Sequence, residues 1–442
     1  MKIQLSDHFD FKKLFRFVIP CIAMMIFTSI YGVVDGYFVS NYVGKTSFAA
    51  VNLIMPFIMI LGALGFMFGT GGSALVAIIL GEGDKERANQ IFSFLVYTVV
   101  VLGCIIAVVG IIFIEPVAVW LGAEGEMISL CVSYGRIILC ALPAFMLQNT
   151  FQSFFVTAEK PKLGLVVTLI AGVTNMALDA LFMVVFKWGV EGAAVATALS
   201  QCVGGIVPMI YFFRKNNSLL KLTKTRFNGR ALFKACTNGS SELVSNISMS
   251  LVSVLYNFQL MKYAGENGIA AYGVIMYVNF IFIAIFLGYS IGTAPIIGYN
   301  YGAGNEKELK NIFNKSMVFL IGAGITLTTA GFFLASPLSK FFVGYDAELC
   351  EMTIGAFKIY SISFLFVGFG IFGSSLFTAL GNGLISAIVS FLRTIVFQVF
   401  SILIMPEIMG MEGIWYSVIV AEILATIVAI GFIVKYKKKY GY

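Results

Sequence analysis

Long apolar runs constrain the fold of this chain more than any other feature. Runs long enough to cross a hydrocarbon core, about 20 residues each, recur from one end of the chain to the other. Of its 442 residues, 59% are hydrophobic and only 12% are charged. Because lipid offers no hydrogen-bond partners to a peptide backbone, such runs predict helices. We therefore predict an all-α membrane protein with many spans.

The runs and the breaks between them predict twelve membrane-spanning helices. An even number of spans places both termini on the same side. One long polar break, residues 214–236, falls at the middle of the chain, and we interpret it as a linker between a first lobe (1–213) and a second lobe (237–442). The predicted spans are 14–38, 49–80, 91–114, 128–155, 163–186, 193–213, 243–261, 270–297, 317–334, 352–377, 384–405 and 414–434.

Basic residues are distributed unevenly between the two predicted faces. Of the 29 lysines and arginines, 22 lie in loops and tails on the face that carries the termini, and 4 lie on the opposite face. Cytoplasmic loops carry such an excess, so we place both termini in the cytoplasm of a bacterial-type plasma (inner) membrane. The same rule accounts for the net charge of +7, which therefore gives no reason to expect a nucleic-acid partner.

The two lobes are related by an internal repeat. A shift of 221 residues superimposes residues of the same type in the same order along the chain. Six spans per repeat keep both lobes in the same orientation, which predicts a pseudo-two-fold axis along the membrane normal, an arrangement known in transporters. The matched residues include Gly44 with Gly265, Gly81 with Gly302, Gly83 with Gly304, Pro116 with Pro337 and Gly189 with Gly410.

Two carboxylates inside the first lobe predict a cation site. Asp35 and Asp179 each lie about 10 Å below the outer end of a span, at about 1.5 Å per residue, and intramembrane acids are usually functional. Asn175 lies one turn from Asp179 on the same helix face, and Thr197 enters the same layer from the sixth span. These hard oxygen ligands suit Na⁺, with Asp35 and Asp179 as its carboxylate ligands, or a proton; the residue types leave both ions open.

Two further acids lie in spans of the second lobe. Glu422 can pair with Arg393, and structural pairing is the favoured interpretation; Glu242 lies near the cytoplasmic start of the seventh span and is either interfacial or functional. The repeat places Tyr256 and Phe400 where the first lobe has Asp35 and Asp179, so we expect any cation coupling to be confined to the first lobe. Glu242, Glu422 and Arg393 are secondary candidates.

Polar residues of the fourth span form one stripe that we assign to substrate contact. The stripe contains Gln148, Asn149 and Gln152, and Tyr31 of the first span is a further candidate. Enzymatic chemistry is disfavoured: the single histidine, His8, lies in the N-terminal tail, and no nucleophile can be paired with a base. We expect no cofactor, and the absence of an ATP-binding motif disfavours primary pumping.

The residues at this point resemble a known family, the multidrug and toxic compound extrusion (MATE) transporters, and in particular their bacterial MepA-like branch. The resemblance covers essentially the whole chain. It depends on the stretch from Val34 to Gly44, which contains Asp35-Gly36, and on the Ala-Ala and Gly-Thr pairs found in both lobes.

The resemblance implies a V-shaped pair of lobes (the MATE/MOP fold) that exports amphipathic, often cationic drugs by antiport against Na⁺ or H⁺. It implies that Asp35, Asn175, Asp179 and Thr197 form a first-lobe coupling cluster, with Asn149 and Gln152 near the substrate cavity. Members with a carboxylate in the tenth span differ from this chain, since residues 352–377 contain none.

We therefore predict a secondary active multidrug antiporter that works as a monomer in the lipid bilayer on small organic cations. One alternative is a flippase for lipid-linked oligosaccharide or a related polar lipid, which would need a basic cavity; only Arg136, Lys358 and Arg393 lie within spans. A second alternative is a membrane receptor or scaffold that transports nothing. The internal repeat and the buried acids argue against it.

Overall fold

The computed structural model describes residues 3–442, and helices account for nearly all of them; no strand occurs in this range. Six membrane helices form the first lobe. The fourth bends by 53° between two segments, and the fifth continues as a π-helix. Their bounds are α1 Phe11–Tyr42, α2 Lys45–Gly81, α3 Lys85–Trp120, α4 Glu126–Cys140 with Leu142–Thr157, α5 Pro161–Asp179 with the π-helical Ala180–Val185, and α6 Gly189–Phe213.

The second lobe repeats this arrangement. A continuous helical stretch, Gly229–Gly302, breaks at Gly265 (φ 60°, ψ −151°) into α7 (229–264) and α8 (266–302). The tenth helix bends by 47°, as the fourth does in the first lobe. The remaining bounds are α9 Glu306–Val343, α10 Ala347–Ser361 with Phe364–Ala379, α11 Gly383–Phe391 with the π-helical Leu392–Val396 and Phe397–Met409, and α12 Met411–Tyr440. The predicted all-α fold of twelve spans in two lobes is confirmed.

Most helices extend beyond the predicted spans because polar residues cap them outside the apolar core. The Asp84 side chain accepts a hydrogen bond from the backbone N–H of Arg87 at 3.0 Å, and Asn305 accepts one from Glu308 at 3.2 Å. Such N-caps satisfy backbone donors that the first turn of a helix leaves free. Asp84 and Asn305 are 221 residues apart, so the repeat reproduces the cap of α3 at the start of α9.

Turn glycines explain why the repeat is visible in the sequence. Gly44 and Gly265 occupy equivalent turns with φ of 85° and 60°, a conformation that costs other residues energy because of the Cβ atom. The matched pairs Gly83 with Gly304 and Gly189 with Gly410 also have positive φ. Each lobe therefore needs glycine at the same turns.

The lobes contact each other on the face that carries both termini. A Cβ atom on Gly81 would collide with the carbonyl oxygen of Tyr299, and one on Gly302 would collide with that of Ile78. These two contacts are exchanged by the 221-residue shift, as a pseudo-two-fold axis requires. Glycine allows two membrane helices to approach this closely.

The N-terminal segment, residues 3–10, closes the same face. The Leu5 backbone N–H donates to Glu159 of the first lobe at 2.9 Å, and the Phe9 N–H donates to Glu308 of the second lobe at 2.9 Å. Asn300 of α8 also donates to the Leu5 carbonyl at 3.3 Å. Leu5 and Phe9 are completely buried. The segment therefore bridges the lobes through both backbone hydrogen bonds and apolar contacts.

Candidate cation-binding site

The four candidate residues for cation binding converge inside the first lobe. The Thr197 hydroxyl donates to Asp35 Oδ1 at 3.5 Å and accepts a hydrogen bond from the Asn175 amide at 3.4 Å. The Asp35 carboxyl also lies close to the side chains of Asp179 and Asn175. Residues from α1, α5 and α6 thus form one polar cluster, in the layer that the span depths predict.

A change of helix type positions Asp179. Residue 179 is the last of the α-helical part of α5, and the π-helical turns begin at Ala180. π-Helical turns inside α-helices are rare and occur often at functional sites. Asp179 is fully buried and Asn175, one turn earlier on the same face, is 2% exposed. Asp35, by contrast, is half-buried, so the cluster has one enclosed and one more accessible carboxylate.

The cluster has more acceptors than donors. Both carboxylate oxygens of Asp179 and the Oδ1 atom of Asn175 are buried and accept no hydrogen bond. The single hydroxyl proton of Thr197 is already directed to Asp35. Because a buried carboxylate without partners is costly, a bound cation or proton would stabilise it. The oxygen atoms present therefore fit Na⁺ or H⁺.

Carboxylate charge in this cluster is limited to two residues. Across residues 3–442, no three or more His, Cys, Asp or Glu side chains come together as metal ligands. The basic candidates of the membrane spans do not neutralise the pair: Arg136 and Lys358 are exposed, and Arg393 lies in the second lobe. The charge of Asp35 and Asp179 is therefore not balanced by any of these three basic side chains.

The candidate substrate-contact residues lie beside this cluster. Tyr31, one turn before Asp35 on α1, interacts with the Gln148 side chain. Gln148 and Gln152 line a cavity of about 10 Å³, large enough for one water molecule, between α4, α5 and α6. Asn149 is buried and its Nδ2 atom has no hydrogen-bond partner. The polar stripe of α4 thus faces the interior of the first lobe.

The equivalent region of the second lobe is satisfied internally. Arg393 Nε donates to Glu422 Oε2 at 3.0 Å, and Gln398 Nε2 donates to Glu422 Oε1 at 3.5 Å. Tyr256, the repeat equivalent of Asp35, hydrogen-bonds to Gln398 at 3.2 Å and to Ser417 at 2.8 Å. The Arg393–Glu422 pair predicted from the sequence is therefore present. Glu242 is half-buried on α7 and interacts electrostatically with Arg393.

Two neighbours of the cluster escaped the sequence-based prediction. Tyr134 is buried and lies within electrostatic range of both Asp35 and Asp179; it is on the first segment of α4, before the bend, which Pro143 marks in the sequence. Gln201 lies one turn after Thr197 on α6 and has a buried Oε1 atom without a hydrogen-bond partner. Its equivalence to Glu422 under the 221-residue shift was a signal that could have identified it.

Known proteins similar to this chain were found by sequence and by structure. It is 26% identical over 420 residues to Multidrug export protein MepA of Staphylococcus saprophyticus subsp. saprophyticus, which covers 95% of this chain and 92% of the relative. The MepA protein of Staphylococcus aureus is also 26% identical, over 431 residues. A solved structure described as an outward-facing conformation of a multidrug resistance MATE family transporter of the MOP superfamily matches with a TM-score of 0.92, 26% identity and 99% coverage of both chains.

The MatE family model matches this chain twice, at residues 20–181 and 243–404. The two matches have the same length and are offset by 223 residues, which is within two residues of the 221-residue repeat. Together they cover well over half of the chain. This chain therefore belongs to the MatE family of membrane transporters.

Proposed function

We propose that this chain exports amphipathic, often cationic small molecules by antiport with Na⁺ or H⁺, and that Asp35 and Asp179 form the coupling site. The observation that carries the proposal is the buried Asp179 carboxylate, neither oxygen of which accepts a hydrogen bond. The relatives named Multidrug export protein supply the substrate class.

The asymmetry between the lobes supports a single coupling site. In the second lobe Glu422 has an arginine partner at 3.0 Å, so its charge is already balanced. In the first lobe no basic side chain pairs with Asp35 or Asp179 among the ion pairs of the described residues. A transported cation would supply that balance only while it is bound, as a reversible coupling step requires.

In the proposed cycle, the lobes contact each other toward one face of the membrane and are separated at the other. Contacts between the lobes extend from the face that carries the termini to Ser29 of α1, whose hydroxyl donates to the Phe280 carbonyl oxygen at 3.3 Å. Nearer the opposite face, a Cβ atom on Gly32, Gly36 or Gly273 would meet no heavy atom within 4 Å. With the termini in the cytoplasm, as the charge bias favours, this state opens outward. A cation entering at Asp35 would neutralise the cluster and alter the packing of α1 against α5 and α6. The different affinities of the two states for the cation would drive the cycle.

α1 offers a direct connection from the coupling site to the polar stripe of α4. Tyr31 and Asp35 lie one turn apart on this helix, and Tyr31 interacts with Gln148. A shift of α1 on cation binding would therefore change the surroundings of Gln148 and Gln152. We propose that these residues, with Asn149, contact the exported molecule, that the lobes comprise 1–213 and 237–442, and that a monomer in a bacterial plasma membrane suffices.

Dye efflux from proteoliposomes tests the coupling site. A fluorescent organic cation is loaded, and efflux is followed under an imposed Na⁺ gradient or an imposed pH gradient. We expect one gradient to drive efflux and Asp35→Asn or Asp179→Asn to abolish the gradient-driven part. Glu191→Gln is the matched control, because Glu191 is an exposed acid in the first turn of α6.

The outcomes separate the proposal from its competitors. Full gradient-driven efflux in both aspartate variants would place coupling elsewhere, with Glu242 and Glu422 as the next candidates. No dye movement by the wild-type protein would instead favour a polar-lipid flippase or a non-transporting receptor. A flippase for such lipids would need several free basic residues within the membrane, whereas only Arg136 and Lys358 remain once Arg393 is paired with Glu422.

A further inference from the structure

A second, larger cavity lies on the face that carries the termini, away from the cation site. Its volume is about 670 Å³, and it lies between the start of α3 and the linker that joins the lobes. Its polar wall contains Arg87, Lys224 and Arg226, and its apolar wall contains Phe94 and Phe227. The cavity thus combines positive charge with aromatic surface at the end of a membrane helix.

The linker wall of this cavity is held in place. The backbone N–H groups of Lys221 and Thr223 donate to Asn89 and Ser93 of α3, each at 2.8 Å. The Thr225 hydroxyl donates to the carbonyl oxygen of Gln90 at 2.9 Å. Three alternate residues of the linker, Lys221, Thr223 and Thr225, are thus hydrogen-bonded to α3. Lys224 and Arg226 are therefore presented from a fixed backbone.

The charge around the cavity is strongly positive. From residue 214 to residue 241 the chain has seven basic residues and no acid. Neither Lys224 nor Arg226 takes part in an ion pair in the part of the chain that the structure describes. The acids close to the wall lie at the start of α3 and not in the linker: Glu82 is 3.7 Å from Arg87, and Glu86 accepts a hydrogen bond from Gln90 at 3.4 Å. Asp84 caps the helix at the backbone N–H of Arg87. Basic clusters next to the cytoplasmic end of a membrane helix attract anionic lipid head groups.

The aromatic wall indicates where the apolar part of a ligand would lie. The Phe227 ring is 82% exposed and contacts Phe94 edge to face, with ring centroids 5.7 Å apart. An exposed aromatic side chain at the membrane surface is favourable when lipid covers it. A soluble phosphate compound would leave this ring uncovered, whereas the glycerol and upper acyl region of a phospholipid would cover it.

We propose that this cavity binds the phosphate-bearing head group of an anionic phospholipid. Arg87, Lys224 and Arg226 surround the phosphate, and Phe227 packs against the glycerol and upper acyl chains. The bound lipid then fastens the linker to α3 just before α7 begins at Gly229. This site is separate from the proposed transport function, so its test does not require transport.

Thermal unfolding of the purified protein in mixed micelles tests the site. A thiol-reactive dye reports unfolding through the buried Cys21, Cys131 and Cys350. Dioleoyl phosphatidylglycerol is titrated against dioleoyl phosphatidylcholine in a neutral detergent. We expect phosphatidylglycerol to raise the midpoint more than phosphatidylcholine does, with a half-maximal effect at a defined mole fraction of lipid.

The double substitution Lys224→Gln and Arg226→Gln should weaken lipid binding. The mole fraction of phosphatidylglycerol that gives half of the maximal effect should rise about 25-fold, because each basic side chain near an anionic surface strengthens binding about fivefold. Lys310→Gln is the matched control, an exposed lysine on the same face in α9, and should leave the titration unchanged. Both substituted side chains are exposed, and an unchanged midpoint in phosphatidylcholine would verify that the double variant folds.

Three results would overturn the proposal. The first is an equal effect of the two lipids on the wild-type protein, and the second is a full phosphatidylglycerol effect in the double variant. The third is a full midpoint shift with inorganic phosphate or glycerol phosphate alone, which would identify a soluble phosphate compound as the ligand.

Discussion

Removing Arg393 should destabilise the second lobe strongly. Arg393 and Glu422 form a buried pair, with side chains 15% and 4% exposed. Arg393→Met keeps a long apolar side chain but leaves the Glu422 carboxylate with only the Gln398 amide, at 3.5 Å. Breaking a buried pair by removing one partner costs about 3–5 kcal/mol, because the remaining charge stays buried. We expect a loss of that size in the free energy of unfolding.

The double substitution Arg393→Met and Glu422→Met should recover most of this loss. Apolar residues of similar volume often replace a buried pair with no net cost, so we expect the double variant to unfold within about 1 kcal/mol of the wild-type protein. The exposed pair between Lys262 and Glu407, 3.1 Å apart, provides the control. Lys262→Met should have little measurable effect, since solvent screens such pairs.

Reversible unfolding in mixed micelles with a denaturing detergent would measure these differences. If Arg393→Met were as stable as the Lys262→Met control, the unpaired Glu422 charge would not be destabilised by burial. A double variant as unstable as the single one would show that the ion pair is needed for the fold, and would refute the reasoning from desolvation.

Two further substitutions test the closed face of the molecule. The side chain introduced by Gly81→Leu should collide with the Tyr299 carbonyl oxygen and separate the lobes on the face that carries the termini. An unchanged distance distribution between spin labels on the two lobes would contradict this. Gly322→Leu is the control, because no atom lies near the Cβ position of Gly322. Phe9→Ala should cost about 3 kcal/mol, because Phe9 is fully buried. Phe11→Ala, at a 44% exposed position, should cost much less in the same unfolding measurement, and equal losses would show that the N-terminal segment does not stabilise the lobe contact.

Much of the fold could be predicted from local sequence features. Apolar runs identify spans because lipid excludes unsatisfied backbone, and glycines with positive φ mark the same turns in both lobes, as Gly44 and Gly265 do. The ends of the helices were less predictable. They depend on polar caps such as Asp84, which lie outside the apolar runs.

For the candidate site, the sequence predicted only how deep each side chain lies in the membrane. Helical rise places Asp35, Asp179 and Thr197 in one layer, but rotation of each helix about its axis decides whether their side chains meet. That rotation is set by packing between helices. Tyr134 was missed for the same reason, since the packing of α4 against its neighbours brings it within electrostatic range of the carboxylates.

The sequence by itself determined the twelve spans, the two-lobe repeat and the presence of acids in the membrane, because each follows from the chemistry of neighbouring residues. The sequence offered Arg393 as a partner for Glu422, but only the tertiary structure decided whether each acid has a partner. Arg393 pairs with Glu422, while neither carboxylate oxygen of Asp179 accepts a hydrogen bond. Charge balance depends on side chains from different helices, and their separation in space cannot be calculated from their separation along the chain.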